Sequence, residues 1–312
     1  MLIGRAALTA RRLDNREAIV AIGAAWNAVS KIGARGISAT SVWYEAWIDA
    51  FGETVAPRVI AVADETGALR GVLPLAVLSR QLGGLRARVL EMGAESVACG
   101  DHLGLVATAP DDAVWTAALL LQRTLERDTD VVYLWLLTVT TSPGRVLGSL
   151  APFGWRAAPT IGTVAPRLAL NGSAAAFEQS LSANRRHQAL GEAHPGHAFV
   201  WEGERAYYTS GWNPAFAECL VGELLLAHVR RTAADEGVSS FDLGRGADAY
   251  KSRFATEPVS LLAAKWSTNA LGHLAVGVHR FALRATREWN RRRTRLSRRV
   301  DARRLPTGVP SE

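Results

Sequence analysis

Cysteine and lysine are nearly missing from this 312-residue chain, which has only Cys99 and Cys219 and sets three lysines against 33 arginines. Two cysteines outside any C-x-x-C or Cys/His cluster argue against both a disulfide framework and a thiolate metal site. Their default reading is a pair of reduced, inert thiols, and neither is assigned a role. Long apolar runs are missing too. The longest, VVYLWLL at residues 131–137, is far short of the roughly 20 residues that span a bilayer and reads as a buried strand. The N-terminus carries Arg5, Arg11 and Arg12 but no apolar run or small-residue cleavage site of a secretory signal, so the expected location is cytoplasmic. No G-x-S-x-G or Walker A pattern occurs. Gly244-x-Gly246 follows a strand-like run but lacks the third glycine, since Ala249 and Tyr250 stand where the dinucleotide fingerprint would continue.

With 48% hydrophobic and 21% charged residues the composition is that of an ordinary globular chain, long enough for one large or two small domains. The net charge of +7 is unevenly placed: residues 280–304 hold eleven arginines against Glu288 and Asp301, a local +9. The remainder sums to about −2, so the basicity belongs to a tail and does not point the body toward nucleic acid.

Local signals set out the order of elements. A first helix is expected over residues 15–29 and a second one capped by Ser41, with Trp43, Trp47 and Phe51 on one face. Residues 58–64 and 68–78 read as a hairpin joined by Glu65-Thr66-Gly67. Strands near residues 88–91, 131–137 and 168, a helix over 111–127 and a helical stretch over 173–190 continue the alternation. Residues 198–210 alternate as a strand, Asn213-Pro214 starts a short helix, and Gly222 opens a longer one ending at Gly237, directly before a strand at 239–243. From Leu271, Leu274, Val278, Phe281, Ala285, Trp289, Leu296 and Val300 form the apolar stripe of a basic amphipathic helix. The class is α/β (α+β) with a mixed sheet flanked by helices.

Three features of the second half belong together: the aromatic strand end Tyr207-Tyr208-Thr209-Ser210-Gly211-Trp212, the helix start at Gly222, and Phe241-Asp242-Leu243-Gly244-Arg245-Gly246 followed by Tyr250-Lys251. A helix N-terminus presents unpaired N–H groups and partial positive charge, so Gly222-Glu223-Leu224 is a candidate cradle for a pyrophosphate after a strand that presents a thioester.

The segment YYTSGWNPAFAECLVGELLLAHVRRTAADEGVSSFDLGRGADAYKSRF, residues 207–254, resembles the C-terminal signature of the CelD-like, cellulose-biosynthesis-type acetyltransferases of the GNAT superfamily, relatives of the Fem peptidyltransferases. Gly71-Val72-Leu73-Pro74-Leu75, the Asp101-His102 segment and Ser180-Leu181-Ser182-Ala183-Asn184-Arg185-Arg186 match weaker parts of the pattern, so the likeness covers roughly residues 40–265. One departure stands out. The family has several dozen residues between the Arg-Arg region and the Tyr-Tyr strand, whereas residues 187–206 here are too few for two helices and two strands.

The resemblance implies two GNAT-like halves, residues 1–165 and a shortened 166–268, followed by the basic helix and tail at 269–312. It implies attack of an amine of a sugar, lipid or peptide on the thioester of acetyl-CoA or another acyl-CoA, without a metal. In that scheme Asp242 is the candidate base, Tyr250 the candidate acid, and Lys251 a group for the oxyanion or a phosphate. Ser210, Gly211, Gly222, Glu223, Leu224 and Arg245 fall on the cofactor side; Asp101, His102 and Tyr208 fall on the acceptor side. Plainer readings stand beside these: Asp242 and Arg245 as a structural ion pair, Gly244 and Gly246 as turn residues, Asp101-His102 as a solvated loop pair. The alternative for the whole chain is a non-catalytic GNAT-like remnant acting as an interaction module at a membrane or polyanion surface. The arginine-rich helix has an anionic membrane surface as its candidate partner, ahead of nucleic acid.

Overall fold

The computed structural model describes residues 8–33, 36–94, 100–108, 128–138, 160–170, 196–210, 232, 236–246, 248, 251 and 255–303. The expected helices at 111–127, 173–190 and 222–235 and both cysteines lie outside this set. Among the described residues the chain runs β1 (Thr9–Leu13), α1 (Arg16–Ala21), α2 (Gly23–Gly33), a 3-10 turn (Ile37–Ala39), α3 (Ser41–Phe51), β2 (Val55–Ala63), β3 (Leu69–Leu82) and β4 (Leu85–Met92). Then come β5 (Val106–Ala107), β6 (Val131–Thr138), β7 (Thr160–Ala169), β8 (Gly196–Trp201), β9 (Glu204–Ser210), β10 (Ser240–Asp242), β11 (Glu257–Ser267) and a final helix, α4 (Ala270–Arg303).

All strands join one mixed sheet, ordered β1-β2-β3-β4-β6-β11-β7-β10-β9-β8, with β5 paired to β3. Two pairs within it are parallel, β4 with β6 and β9 with β10. Each follows an antiparallel hairpin, β3–β4 in one case and β8–β9 in the other. The last strand is central: β11 pairs with β6 on one edge and with β7 on the other.

The β2–β3 hairpin forms as the sequence predicts. Gly67 takes a left-handed φ of +81°, and Asp64 Oδ1 accepts from the Thr66 and Ala68 N–H groups at 2.9 and 3.1 Å. Alternation along β2 then sorts its side chains. Val59 and Ala61 face α1–α3 with Trp26, Tyr44 and Trp47, while Ile60 and Val62 join Leu73, Leu75, Leu90, Met92 and Leu134 on the other face.

Three local expectations are corrected. The first helix is two, broken at Ile22, where α2 starts close against α3: a Cβ on Gly23 would lie 3.0 Å from Glu45 Oε1. The cap of α3 is Thr40, whose Oγ1 accepts from Trp43 N at 3.2 Å, while the Ser41 hydroxyl turns back to Gly23 O. Residues 198–210 are not one strand. They fold into β8 and β9 about Glu202-Gly203, both at positive φ, 46° and 75°. The start of α4 is held by Asn269, which accepts from Gly272 N at 2.8 Å and donates to Asp130 at 2.9 Å. No described helix is long and apolar enough to cross a membrane.

Tyr44 is the pin between α3 and the sheet, donating to Leu75 O at 2.6 Å from a fully buried position. Its ring passes so close to the end of β4 that a Cβ on Gly93 would stand 2.1 Å from it. Gly93→Ala is therefore expected to destabilise the protein by about 2–3 kcal/mol, read as a lower urea midpoint. A variant as stable as the parent would contradict this packing.

Candidate active site

β9 and β10 run parallel for three residues only, Glu204 with Ser240, Arg205 with Phe241 and Ala206 with Asp242. β9 then continues to Ser210 without β10 beside it. The cause lies on its other edge. Ala198 pairs with Tyr207 but His197 with Thr209, so Tyr208 is an extra residue, and such a bulge bends its strand. The paired register of the two strands ends at Ala206 and Asp242, and their pleats give this end of the pair two unlike faces. Phe241, Leu243, Leu168 and Tyr207 make one side apolar. On that side Arg205 reaches Thr232 and Glu236, the end of the segment that Gly222 opens. Asp242, Ala206 and Tyr208 face the other side, towards the first half of the chain.

Into that second face the first half inserts Asp101 and His102. His102 adopts φ +54°, a left-handed conformation uncommon outside glycine, and its Nε2 pairs with Asp242 Oδ2. Asp101 accepts from Arg245 N at 2.9 Å and faces Arg245 Nε at 3.5 Å. The expected Asp242–Arg245 pairing is thus replaced by two pairs that cross between the halves. Nor is Asp101-His102 a solvated loop pair: the His102 side chain is 5% exposed, as is that of Asp242.

Further charges frame the pair. Asp242 Oδ1 accepts from Gly244 N at 2.8 Å, a turn that Gly244 makes at φ +70°. Arg167, opposite Asp242 on β7, donates to Glu204 at 2.6 Å and to Ser240 Oγ at 2.7 Å. Lys251 is buried, with its ammonium donating to Arg245 O at 2.7 Å and lying 3.4 Å from both Gly244 O and Asp248 Oδ2. These contacts close the 244–248 turn on itself. Arg167 and Glu204 were not among the sequence candidates. Their role rests on cross-strand register, which no local pattern reveals.

Burial works against the His102 imidazolium, but Asp242 beside it, with Glu204 and Asp101 adding, leaves the pKa of His102 raised. Burial likewise works against the Asp242 carboxylate, yet His102, the Gly244 N–H and Arg167 hold it below the usual range. Asp101 is pushed up by burial, more than Arg245 pulls it down. The pairing therefore favours the imidazolium–carboxylate form over the neutral one.

Aromatic rings close the Asp101–His102 side. Trp43, Phe199 and Tyr208 meet edge to face with centroids 5.2, 5.3 and 5.7 Å apart. The cavity left among these rings, Asp101, His102, Asp242 and Gly244 is about 30 Å³. Ser210 is the last residue of β9. Tyr250, Gly211, Gly222, Glu223 and Leu224 lie outside the described residues. Among the described residues no three His, Cys, Asp or Glu side chains are grouped to hold a metal ion.

The sequence likeness placed the site on the strand end at Tyr207–Ser210 and the segment from Phe241, and the bulged β9 and its parallel neighbour β10 are where these fall. Residues 197–252, the stretch that builds it, match the family model described as an acetyltransferase (GNAT) domain. The fold is that of the GNAT acetyltransferases. The structure of FemX superposes with a TM-score of 0.57 at 9% identity, over 84% of this chain and 98% of FemX. A tandem GNAT protein from the clavulanic acid biosynthesis pathway, without acetyl-CoA, gives 0.46 at 12% identity, over 84% of this chain and 98% of its own. A search of curated proteins finds no match. The likeness thus reaches the GNAT fold and distant Fem-like relatives; the narrower cellulose-biosynthesis-type resemblance has no counterpart in it.

Breaking a buried ion pair from one side leaves an unpaired charge, so His102→Gln is expected to cost about 3 kcal/mol, and the double change His102→Gln, Asp242→Asn less than the single ones combined. The pH dependence has two limbs. The raised His102 pKa contributes stability below about pH 6.5 that is lost as pH rises through the folded value. The lowered Asp242 pKa contributes stability above about pH 4 that is lost as pH falls through its folded value. Urea midpoints from pH 3 to 9 should show both limbs in the parent and neither in the double variant.

Proposed function

We propose that this chain is an acyl-CoA-dependent N-acyltransferase of the GNAT type, acting on an amine of a sugar, lipid or peptide. The observation that carries the reading is the end of the β9–β10 pairing, apolar on the Phe241 side and charged on the Asp242 side. Two unlike faces suit a reaction whose two partners arrive from opposite sides. Acyl-CoA would supply an activated thioester from the face where the Gly222 segment ends at Glu236. Leu243, Phe241 and Tyr207 are the apolar walls for its acyl arm, and Ser210, Gly211, Gly222, Glu223 and Leu224 remain candidate contacts on this side, while Arg245, another candidate for it, turns to Asp101 instead. The amine acceptor belongs to the Asp101, His102 and Tyr208 face.

His102 and Asp242 act there as one acid–base unit. When His102 has lost its proton it takes one from the acceptor ammonium, and Asp242 stabilises the resulting imidazolium. The amine nitrogen adds to the thioester carbonyl and sheds its second proton to solvent, the C–S bond breaks as the carbonyl re-forms, and the leaving sulfur is protonated, with His102 or Tyr250 as the donor. Tyr208 N–H, outside the β8–β9 register, is the candidate donor to the developing oxyanion. Lys251 and Arg245 hold the 244–248 turn that keeps Asp242 in place. Residues 1–165 and 166–268 are then two GNAT-like halves. The second is the shorter by these bounds; among the described residues it has the end of β7 and β8 before β9, where the first has β1 to β3 before β4.

A second reading, a GNAT-like scaffold without catalysis, is favoured by one observation: a cavity of about 30 Å³ has room for little more than one water. Calorimetry separates the two. Saturable binding of acetyl-CoA or a longer acyl-CoA, with thiol release on adding an amine, is expected. His102→Gln should keep acyl-CoA binding and lower kcat by about 100-fold or more. The parent kcat/KM should rise with pH through a value above the ordinary histidine range, because the His102 pKa is raised. Absence of any binding at millimolar acyl-CoA would leave only the scaffold reading.

A further inference from the structure

α4 carries three distinct sectors around its axis. At 34 residues it is about 50 Å long, and the body grips its first part. Gly272 lies on the Asp130 carbonyl, where a Cβ would be 1.8 Å from the oxygen. Ala275 and Val276 pack with Ala87, Val89 and Val131, and the backbone of His279 lies against Gly83. A second sector, roughly a third of a turn away, holds Leu271, Leu274, Phe281, Ala285 and Trp289 at helical spacing, with Val278 at its edge, half-buried and with Cγ1 against Gly83. This apolar stripe faces outward: Leu274 is 57%, Phe281 75% and Trp289 69% exposed. A third sector repeats arginine, with Arg280, Arg284, Arg287 and Arg291 at spacings of three and four.

We infer that α4 lies along the surface of an anionic lipid bilayer, its Leu274–Phe281–Trp289 stripe buried at the headgroup boundary and its arginines on the lipid phosphates. The sequence made this surface a candidate partner; the structure separates the face used by the body from the face left for lipid. Two exposed large aromatics on one stripe are what an interfacial helix uses, and arginine stems let the charge stay at phosphate level. Charge selects among occupants. A second copy seated on the stripe would bring two +9 segments together, which like-charge repulsion opposes. A nucleic acid would satisfy the arginines and leave Phe281 and Trp289 in water. An anionic bilayer answers both sectors at once. This inference is independent of the acyltransferase reading.

The test is flotation of the full chain with vesicles of phosphatidylcholine alone or of equimolar phosphatidylcholine and phosphatidylglycerol. Partition to the anionic vesicles is expected at about 0.1 M salt and should fall steeply at about 1 M. Phe281→Ala/Trp289→Ala should weaken it at least tenfold, and Arg280→Gln/Arg284→Gln about fivefold per arginine, with acyl-CoA binding unchanged in both. No partition at low salt, or partition untouched by losing the two aromatics, overturns the inference. So does self-association in sedimentation that disappears in Trp289→Ala while vesicles are ignored, which would assign the stripe to a second copy.

Discussion

The ladder that β11 makes on both its edges is the constraint from which the rest of the architecture follows. Residues 261–267 pair with β6 and residues 257–263 with β7, so the segment before α4 sits mid-sheet. Without it β6 and β7 would present open edges, and the β1–β4–β6 and β7–β10–β9–β8 groups would share no strand-to-strand ladder. Its buried residues, Leu261, Ala263 and Ala264, are mostly small. Backbone pairing, more than side-chain volume, joins the groups at this point. The joint also fixes the angle at which the Asp101 loop of one group reaches β10 of the other.

That meeting is built from charge rather than from apolar contact. Asp101, His102, Arg167, Glu204, Asp242 and Arg245 bring three acids and three bases to one side of β9 and β10. Desolvating so many charges yields little net stability, and an apolar core of the same volume would do better. What the arrangement provides is direction. Each carboxylate is held by donors from a different element, so the geometry is reached only when both groups of strands are in register. Arginine suits this better than lysine, since its fork binds two acceptors at fixed angles. Arg167 uses it on Glu204 and Ser240, whereas buried Lys251 serves a turn carbonyl two residues past Asp242.

Local chemistry made part of this legible in the sequence. The Asp64–Gly67 turn, the run at residues 131–137 and the stripe of α4 are each specified by neighbours in the chain, and they fold accordingly. β1 and β11 were not read, because their hydrogen bonds go to strands far away in sequence and neither carries a clean alternation. The hairpin inside residues 198–210 was missed because Glu202 takes the left-handed conformation normally signalled by Asn or Asp. At the site the motif pointed to Asp242, Arg245 and Lys251, and the first-half segment to Asp101 and His102. Their pairing was not legible: Arg245 meets a residue 144 positions away, and residues two or three apart were the nearer guess.

The small cavity and the acyltransferase reading meet at Asp242. In that reading His102 holds, beside the carboxylate, the place that a cationic acceptor would need, and the rings of Trp43, Phe199 and Tyr208 line the cavity there. An ammonium that displaced protonated His102 would exchange one cation for another at the same carboxylate, with His102 giving its proton to solvent and left as a neutral base. A neutral ligand has no such exchange to offer and would leave His102 in place. Under the acyltransferase proposal, the pairing that fills the site in the free protein would therefore favour an acceptor that arrives charged.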